Sequence, residues 1–435
     1  MPSARIRRYA VTVAAATAAA LPLMGLDASA SASTAISSRQ FGMHYLTSSN
    51  PYLVHFGSAR LWGGDVPTWK DLQPTSGATN ATALAHLDDI VAKTRAEGAQ
   101  PMITLGMTPN WAAHHCNHWT GKTNWGLQTC APTSTSTTGS WGRYVRMLAS
   151  RYKGKVAYFE LWNEPSLHNG YNDSTLYLAR MQRSAQTILH QYGEKLVSPA
   201  IPFTDGDGTP KHGLAWLKAF FKQSGGHNFD IVGLHLYPND ASARAGYGPE
   251  WAMSALASVR TVLRQNHLSG KPIWNTETNV GRKPAHSTIG GGTRGAAMLA
   301  RTFLLATQNG IARTFWYAAD DRVWGGTWME SSDARSLTPA GYAYTAVRNL
   351  LIGAHPRGCT TTTVGKNKWH YACKYRLSNG QGMIAVWSTG ASFAYHGPKG
   401  TKRVEYVTGG GHAASHATKL SVGAAPVYVI GSFAV

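Results

Sequence analysis

Two glutamates stand at the ends of apolar segments that have the composition of buried β-strands. Glu164 follows residues 156–162 (VAYFELW), and Glu277 closes residues 272–277 (PIWNTE). Either carboxylate alone would be interpreted as a solvated or helix-capping residue. A pair is different, because one carboxyl group kept protonated and one kept ionised supply a general acid and a nucleophile. The two residues therefore predict acid–base chemistry with a covalent intermediate.

Strand-like and helix-like segments alternate along most of the chain. Near-continuous apolar runs are typical of strands covered on both faces by helices, and eight such repeats predict a (β/α)8 TIM barrel over residues 33–353. A doubly wound sheet is the alternative, but no G-x-G-x-x-G motif follows the first strand. The predicted strands are 41–46, 58–63, 101–107, 156–162, 195–201, 229–237, 272–277 and 312–318; the predicted helices are 81–97, 139–152, 174–192, 213–224, 250–267, 293–309 and 338–352.

The barrel places the two glutamates on opposite sides of one opening. They end the fourth and seventh predicted strands, and barrel enzymes carry their active sites at the C-terminal ends of the strands. Carboxyl groups about 5–5.5 Å apart suit hydrolysis of a glycosidic bond with retention, whereas about 6.5–9.5 Å suits inversion. The pair on these two strands therefore favours glycoside chemistry.

Several motifs in order along the chain resemble glycoside hydrolase clan A, the retaining (β/α)8 glycosidases, with families 39 and 5 nearest. The resemblance covers most of residues 40–350. The motifs that carry it are WNEP (162–165), PTWKDLQPTSG (67–77), TPNWA (108–112), GLHLYP (233–238) and FWYAADD (315–321). It implies an enzyme that hydrolyses β-linked glycans without a cofactor or metal. A non-catalytic carbohydrate-binding barrel and a transglycosylase remain as alternatives.

The resemblance also assigns roles residue by residue. Glu164 corresponds to the acid/base and Glu277 to the nucleophile, with Asn163 placed to bind the sugar 2-hydroxyl. The remaining predicted substrate-binding residues are Arg60 beside the nucleophile, His235 in the same pocket, Tyr237 orienting Glu277, and Trp316 as an apolar floor under the sugar ring. Aromatic and histidine side chains in 109–132 and 320–328 are further candidates for sugar subsites.

The N-terminus predicts export. A basic start precedes the apolar run 9–26, and small residues with an A-x-A cleavage site follow, so we expect a secretory signal peptide over residues 1–32. A membrane anchor is the alternative, but Thr12, Thr17 and Pro22 interrupt the run. We expect a secreted, extracellular monomer that is not bound to a membrane after cleavage.

The net charge of +20 suits acidic polymers, anionic cell walls or nucleic acid. The positive charges are dispersed, and no phosphate loop or basic nucleic-acid motif is present. We therefore expect a carbohydrate partner, an anionic glycan included, and no specific nucleic acid.

Residues 354–435 differ from the rest of the chain in composition and in hydrophobic pattern. β-branched and aromatic runs separated by glycine and asparagine turns predict a small all-β sandwich over 354–435, which either packs on the barrel or binds sugar. The four cysteines allow three pairings, of which we favour Cys116–Cys130 and Cys359–Cys373 because each pair lies within one predicted domain. Metal binding by the first pair with nearby histidines is the alternative.

Overall fold

The structure is a computed structural model. It describes residues 34–45, 52–117, 126–167, 169–203, 211–238, 248–280, 290–320, 326–366 and 368–435. The predicted signal peptide at 1–32 lies outside these ranges. Among the helices of the described ranges, none has the length and apolarity needed to cross a membrane.

Residues 41–316 build a closed parallel barrel surrounded by helices. Its strands pair in the order β5-β4-β3-β2-β1-β9-β8-β7-β6. The strands are β1 (Phe41–Tyr45), β2 (Ser58–Leu61), β3 (Gln100–Leu105), β4 (Tyr158–Leu161), β5 (Lys195–Val197), β6 (Ile201–Pro202), β7 (Val232–His235), β8 (Ile273–Thr278) and β9 (Ile311–Trp316). The helices are α1 (Trp69–Leu72), α2 (Ala81–Ala96), α3 (Ser140–Tyr152), α4 (Thr175–Gln191), α5 (Lys211–Phe221), α6 (Pro249–Gln265), α7 (Thr293–Gln308) and α8 (Pro339–Leu351), with 3-10 turns at Ser38–Gln40 and Gly126–Thr129.

The fifth predicted strand is split in two. We predicted one strand over 195–201, whereas β5 pairs with β4 and β6 pairs with β7, with residues 198–200 between them. A single bridge between Val197 and Ile231 joins the two edges of the sheet. The two short strands therefore occupy one position in the barrel. The predicted TIM barrel, with eight strand positions, is confirmed.

Alternation along the strands decides which side chains reach the barrel interior. Outward residues such as Phe41 in β1 and Phe159 in β4 pack against the helices in one large core. Inward residues near the N-terminal ends form a separate apolar plug, which contains Met102, Val197, Ile231, Trp274 and Phe315. The plug closes the lower barrel, so polar inward residues collect near the C-terminal ends.

The C-terminal region forms two antiparallel sheets around a small apolar core, and the predicted sandwich is confirmed. Seven buried aliphatic residues, Val404 and Leu420 among them, fill the space between the sheets. One sheet has the order β10-β11-β12-β17-β14-β15, and β13 pairs with β16 in the other. The strands are β10 (His355–Gly365), β11 (Lys368–Arg376), β12 (Gly382–Ser388), β13 (Phe393–His396), β14 (Thr401–Tyr406), β15 (Gly411–Ala413), β16 (Lys419–Val422) and β17 (Val427–Gly431).

The outer face of the larger sheet packs against the barrel helices. Tyr375 is completely buried, and its hydroxyl donates to the carbonyl oxygen of Leu304 in α7 at 2.9 Å. The indole N–H of Trp387 donates to Glu250 of α6. The same carboxylate forms a bidentate ion pair with Arg301. Because apolar burial and satisfied polar groups coincide there, we propose that the two predicted domains, 33–353 and 354–435, unfold together.

Both predicted disulfides are confirmed. Cys116 pairs with Cys130 and Cys359 pairs with Cys373, and among the described residues no cysteine is free. The second bond joins opposed residues of β10 and β11.

Removing the Tyr375 hydroxyl tests the junction between barrel and sandwich. Tyr375→Phe should lower the free energy of unfolding by about 1 kcal/mol, because the buried Leu304 carbonyl oxygen and Thr307 hydroxyl lose a partner. Denaturant unfolding measures the change. Tyr342→Phe, at a position that is 50% exposed, is the matched control and should be within about 0.5 kcal/mol of wild type. Equal stability of the two variants would contradict the assigned role of the junction.

Candidate active site

The structure brings Glu164 and Glu277 together at the C-terminal ends of the barrel strands. A ligand oxygen of each carboxylate and a ring nitrogen of His235 all lie within 4.8 Å of one another. The side chain of Glu164 is 21% exposed and that of Glu277 is 10% exposed. The two carboxylates therefore face each other across a half-buried opening, as predicted from the strand ends.

Arg60 on β2 is the hub of the site. Its completely buried guanidinium donates to Glu277 Oε2 at 2.6 Å and to Asn163 Oδ1 at 2.8 Å. It also donates from Nε to Glu160 Oε2 at 2.7 Å. Burial alone would lower the pKa of Arg60, but the facing carboxylates raise it overall. The guanidinium therefore remains a permanent cation that joins β4 to β8.

Glu160 is a functional residue that the sequence analysis missed. It lies on β4 within VAYFELW, is completely buried, and accepts a second hydrogen bond from Thr104 at 2.8 Å. The signal that could have found it is a carboxylate at an inward position of an otherwise apolar strand. A buried charge needs a partner, and Arg60 is that partner.

His44 on β1 is the second residue that the sequence analysis missed. Its Nε2 lies 2.6 Å from the carbonyl oxygen of Trp62, while its Nδ1 lies 3.2 Å from an Arg60 nitrogen. Burial and the charge of Arg60 hold the pKa of His44 well below its usual value. The neutral ring therefore donates from Nε2 to Trp62 and accepts from Arg60 at Nδ1.

His235 and Tyr237, both near the end of β7, contact different carboxylates. His235 Nδ1 lies 2.9 Å from Glu164 Oε1, and the Tyr237 hydroxyl donates to Glu277 Oε1 at 2.6 Å. Burial, Glu277 and Glu164 raise the pKa of Tyr237 well above its usual value. The phenol therefore keeps its proton and acts as a fixed hydrogen-bond donor to Glu277.

The chain leaves β4 through two residues with left-handed backbone. Trp162 has φ 61° and Glu164 has φ 46°, with Asn163 between them. Such conformations are costly for residues with a Cβ and concentrate at functional sites. The returning loop packs tightly here, because a Cβ on Gly170 would lie 2.1 Å from the carbonyl oxygen of Glu164. This turn directs consecutive side chains, Asn163 and Glu164, into the opening.

Trp316 is not brought to the site. The residue is completely buried in the layer between barrel and helices, where its ring stacks on Phe303 of α7 at 6.3 Å. Inward and outward positions alternate along β9, so the following residue, Tyr317, is the one that faces the opening. The Tyr317 ring meets His44 edge to face at 4.5 Å. The prediction for Trp316 was one residue out of register.

The loops predicted as sugar subsites are described only in part. Trp111 donates its indole N–H to the carbonyl oxygen of Gln73, and His114 Nδ1 lies 2.9 Å from Asp173. His115, Asp320 and Trp328 of the same two loops lie within the described ranges, whereas six further residues lie outside them: His118, Trp119, Trp125, Asp321, Arg322 and Trp324. A subsite role for these loops stays a prediction.

The cluster of Glu164, His235 and Glu277 offers three ligand atoms of the kind that bind a metal ion. Arg60 already supplies a positive charge 2.6 Å from Glu277, and it would repel a divalent ion at the same carboxylate. An acid–base pair is the use of these groups that the surrounding charges support.

Comparisons with known proteins give the family of this chain. A family model described as a glycosyl hydrolase catalytic core matches residues 110–344, which is more than half of the chain. A search of curated protein sequences found no match.

Solved structures with the same fold cover nearly the whole chain. A family 39 glycoside hydrolase from Bacteroides cellulosilyticus WH2 has a TM-score of 0.62 and 18% identity over 91% of this chain and 82% of its own. A GH30 endoxylanase from Clostridium papyrosolvens C71 has a TM-score of 0.60 and 13% identity, over 92% of this chain and 98% of its own. The GH51 arabinofuranosidase from Xanthomonas axonopodis pv. citri has a TM-score of 0.58 and 11% identity, over 92% of this chain and 98% of its own. At these identities the likeness shows a shared fold.

Removing Glu160 tests the buried charge network. Glu160→Ala should lower the free energy of unfolding by about 3–5 kcal/mol, because Arg60 loses a counter-charge where water cannot replace it. The control is Glu405→Ala, which removes a carboxylate from the sandwich. Its free energy of unfolding, measured with denaturant as for Glu160→Ala, should differ from that of wild type by about 1 kcal/mol or less. Similar stability of the two variants would show that Glu160 is not needed to balance Arg60.

Proposed function

This chain belongs to the glycosyl hydrolase catalytic core family, and we propose that it is a secreted retaining glycosidase that cleaves β-linked O-glycosidic bonds. The observation that carries the proposal is the approach of Glu164 and Glu277, whose nearest ligand oxygens lie within 4.8 Å of one another. An approach this close is nearer to the separation of about 5–5.5 Å between the carboxyl groups of retaining enzymes than to the separation of about 6.5–9.5 Å in inverting ones.

In the first step a Glu277 oxygen attacks the anomeric carbon and forms a glycosyl ester. The bond from that carbon to the leaving oxygen breaks, and Glu164 transfers its proton to that oxygen. In the second step Glu164 takes a proton from water as the water oxygen attacks the same carbon. The ester bond breaks, which restores Glu277 and releases a sugar with its original anomeric configuration.

The hydrogen bonds around the two carboxylates support this division of roles. Glu277 accepts from the Arg60 guanidinium and from the Tyr237 hydroxyl, each at 2.6 Å. Two strong donors stabilise an ionised carboxylate, which is the form a nucleophile needs. Glu164 lies farther from this cation and is more exposed, so it is placed to exchange protons with a leaving group and with water.

Asn163 is positioned to bind the sugar beside Glu277. Its Oδ1 accepts from Arg60, which fixes the orientation of the amide and leaves Nδ2 as the donor toward the opening. A hydrogen bond to the 2-hydroxyl strengthens as the oxocarbenium-like transition state forms. We assign the floor of this subsite to Tyr317 instead of Trp316.

The neighbours suggest which glycans to test first. Their names refer to an endoxylanase, an arabinofuranosidase and a xyloglucanase, so plant hemicelluloses are the substrates we propose for this chain. Export fits the two disulfides, which persist in oxidising compartments. We propose that the enzyme acts outside the cell as a monomer. Transglycosylation would use the same intermediate and would appear as products longer than the substrate.

Replacing the proposed nucleophile is the direct test. Glu277→Ala should lower kcat on aryl β-glycosides by at least about 10⁴-fold, because no covalent intermediate can form. Added azide should restore turnover by attacking the anomeric carbon from the vacated side. NMR of the rescued product should show the α-glycosyl azide.

Glu194→Gln is the matched control, since it changes a buried carboxyl group at the other end of the barrel and should keep wild-type kcat. Full activity of Glu277→Ala would overturn the assignment. Loss of activity in both variants would point to general damage of the fold.

Tyr237→Phe tests the donor to Glu277. The variant loses one charge-assisted hydrogen bond, so kcat should fall about 10- to 150-fold, corresponding to about 1.5–3 kcal/mol. Steady-state kinetics with aryl glycosides of different leaving groups measures the effect. A rise in KM with unchanged kcat would contradict the proposed role, because the contact is to the nucleophile and not to the substrate.

A further inference from the structure

A second cavity, of about 540 Å³, opens at the opposite end of the barrel from the carboxylate pair. Its walls come from the segments that lead into β1, β3, β4 and β5, which are the N-terminal ends of those strands. The lining includes Gly98–Pro101, Lys153–Ala157 and Tyr192–Glu194. The proposed glycosidase mechanism uses none of these residues.

Four cations line this cavity without a carboxylate partner in the described part of the chain. They are Arg39, Arg95, Lys153 and Lys155. A fifth cation, Arg313, fills the base of the barrel nearby, where it lies between the rings of Tyr158 and Trp274. Cations gathered around one concave surface attract anions and hold them more strongly than dispersed surface charges do.

Glu194 is a buried acid in the same wall. It is 3% exposed, and within the described ranges neither of its carboxyl oxygens has a hydrogen-bond partner. Burial raises the pKa of Glu194 to about 8, although Lys153 acts in the opposite direction. At neutral pH most of this group is therefore an uncharged carboxylic acid, so it puts little negative charge into the wall of the cavity.

We propose that this cavity is a binding site for an oxyanion: a carboxylate, sulfate or phosphate group, free or carried on a sugar. Such a group is attracted to Lys153 and Arg95 at the rim, and the neutral form of Glu194 in the wall does not repel it. A neutral ligand would leave the cations unbalanced, and a cation would be repelled. The volume is within the range of small-molecule sites, so an acidic monosaccharide fits as well as an inorganic ion.

Isothermal titration calorimetry of the full chain at pH 7 and low salt tests the site. The probes are inorganic sulfate, inorganic phosphate and D-glucuronate, with D-glucose as the neutral reference. We expect saturable 1:1 binding of the anions and none of glucose. Tighter binding of glucuronate would identify an acidic sugar as the source, whereas tighter binding of sulfate or phosphate would identify the inorganic ion.

Three variants locate the binding. Lys153→Ala and Arg95→Ala should each weaken it about three- to tenfold, because each removes a charge from the rim. Lys218→Ala removes one charge from an exposed position of α5 outside the cavity and should leave the affinity unchanged. Hydrolysis of aryl glycosides should be unaffected in all three, so the outcome does not depend on the proposed catalytic function.

The acid itself is tested by pH. Wild-type affinity should fall between pH 7 and 9 as Glu194 ionises and its negative charge repels the anion, while Glu194→Gln stays uncharged and should hold its affinity. The other charged or titratable side chains that line the cavity are Arg39, Arg95, Lys153, Lys155 and Tyr192. No saturable binding of any anion, or an equal loss in Lys218→Ala, would overturn the proposal.

Discussion

The burial of the Arg60 guanidinium is the constraint on which the active site depends. An unpaired charge in this position would cost several kcal/mol, so the fold must bring carboxylates to it. Glu160 and Glu277 meet that need from β4 and β8, which lie on opposite sides of the barrel. The requirement to balance one buried charge thereby constrains the distance between the strands that lead to Glu164 and Glu277, and it keeps Glu277 next to a permanent cation.

The remainder of the barrel serves that arrangement. The apolar plug around Trp274 and Phe315 fills much of the lower interior, and the polar inward residues that surround Arg60 lie above it. The turn after β4 accepts left-handed backbone at Trp162 and Glu164, and this brings two consecutive side chains into the opening. Strain of this kind persists where surrounding contacts fix the chain, and here the close approach of Gly170 provides such a contact.

Much of this could be predicted from the sequence because the barrel repeats one local pattern. Helical period located all seven long helices to within three residues, and apolar runs located the strands. The failures have physical causes. Trp316 and Tyr317 are adjacent aromatic residues at a strand end, and a shift of one residue reverses the face. Glu160 and His44 each interrupt an apolar strand once, and only the assembled barrel shows that both surround Arg60.

The structure also shows where some of the positive charges of the protein lie, which composition alone could not show. At the end of the barrel that holds Glu164 and Glu277, Arg60 is balanced by two carboxylates, so this cation has no charge left for attracting an acidic ligand. The unpaired cations that the structure describes around the second cavity lie at the other end of the barrel. Among the described residues, the cations that line the second cavity therefore favour an anion at the face where barrel proteins ordinarily keep only structural contacts.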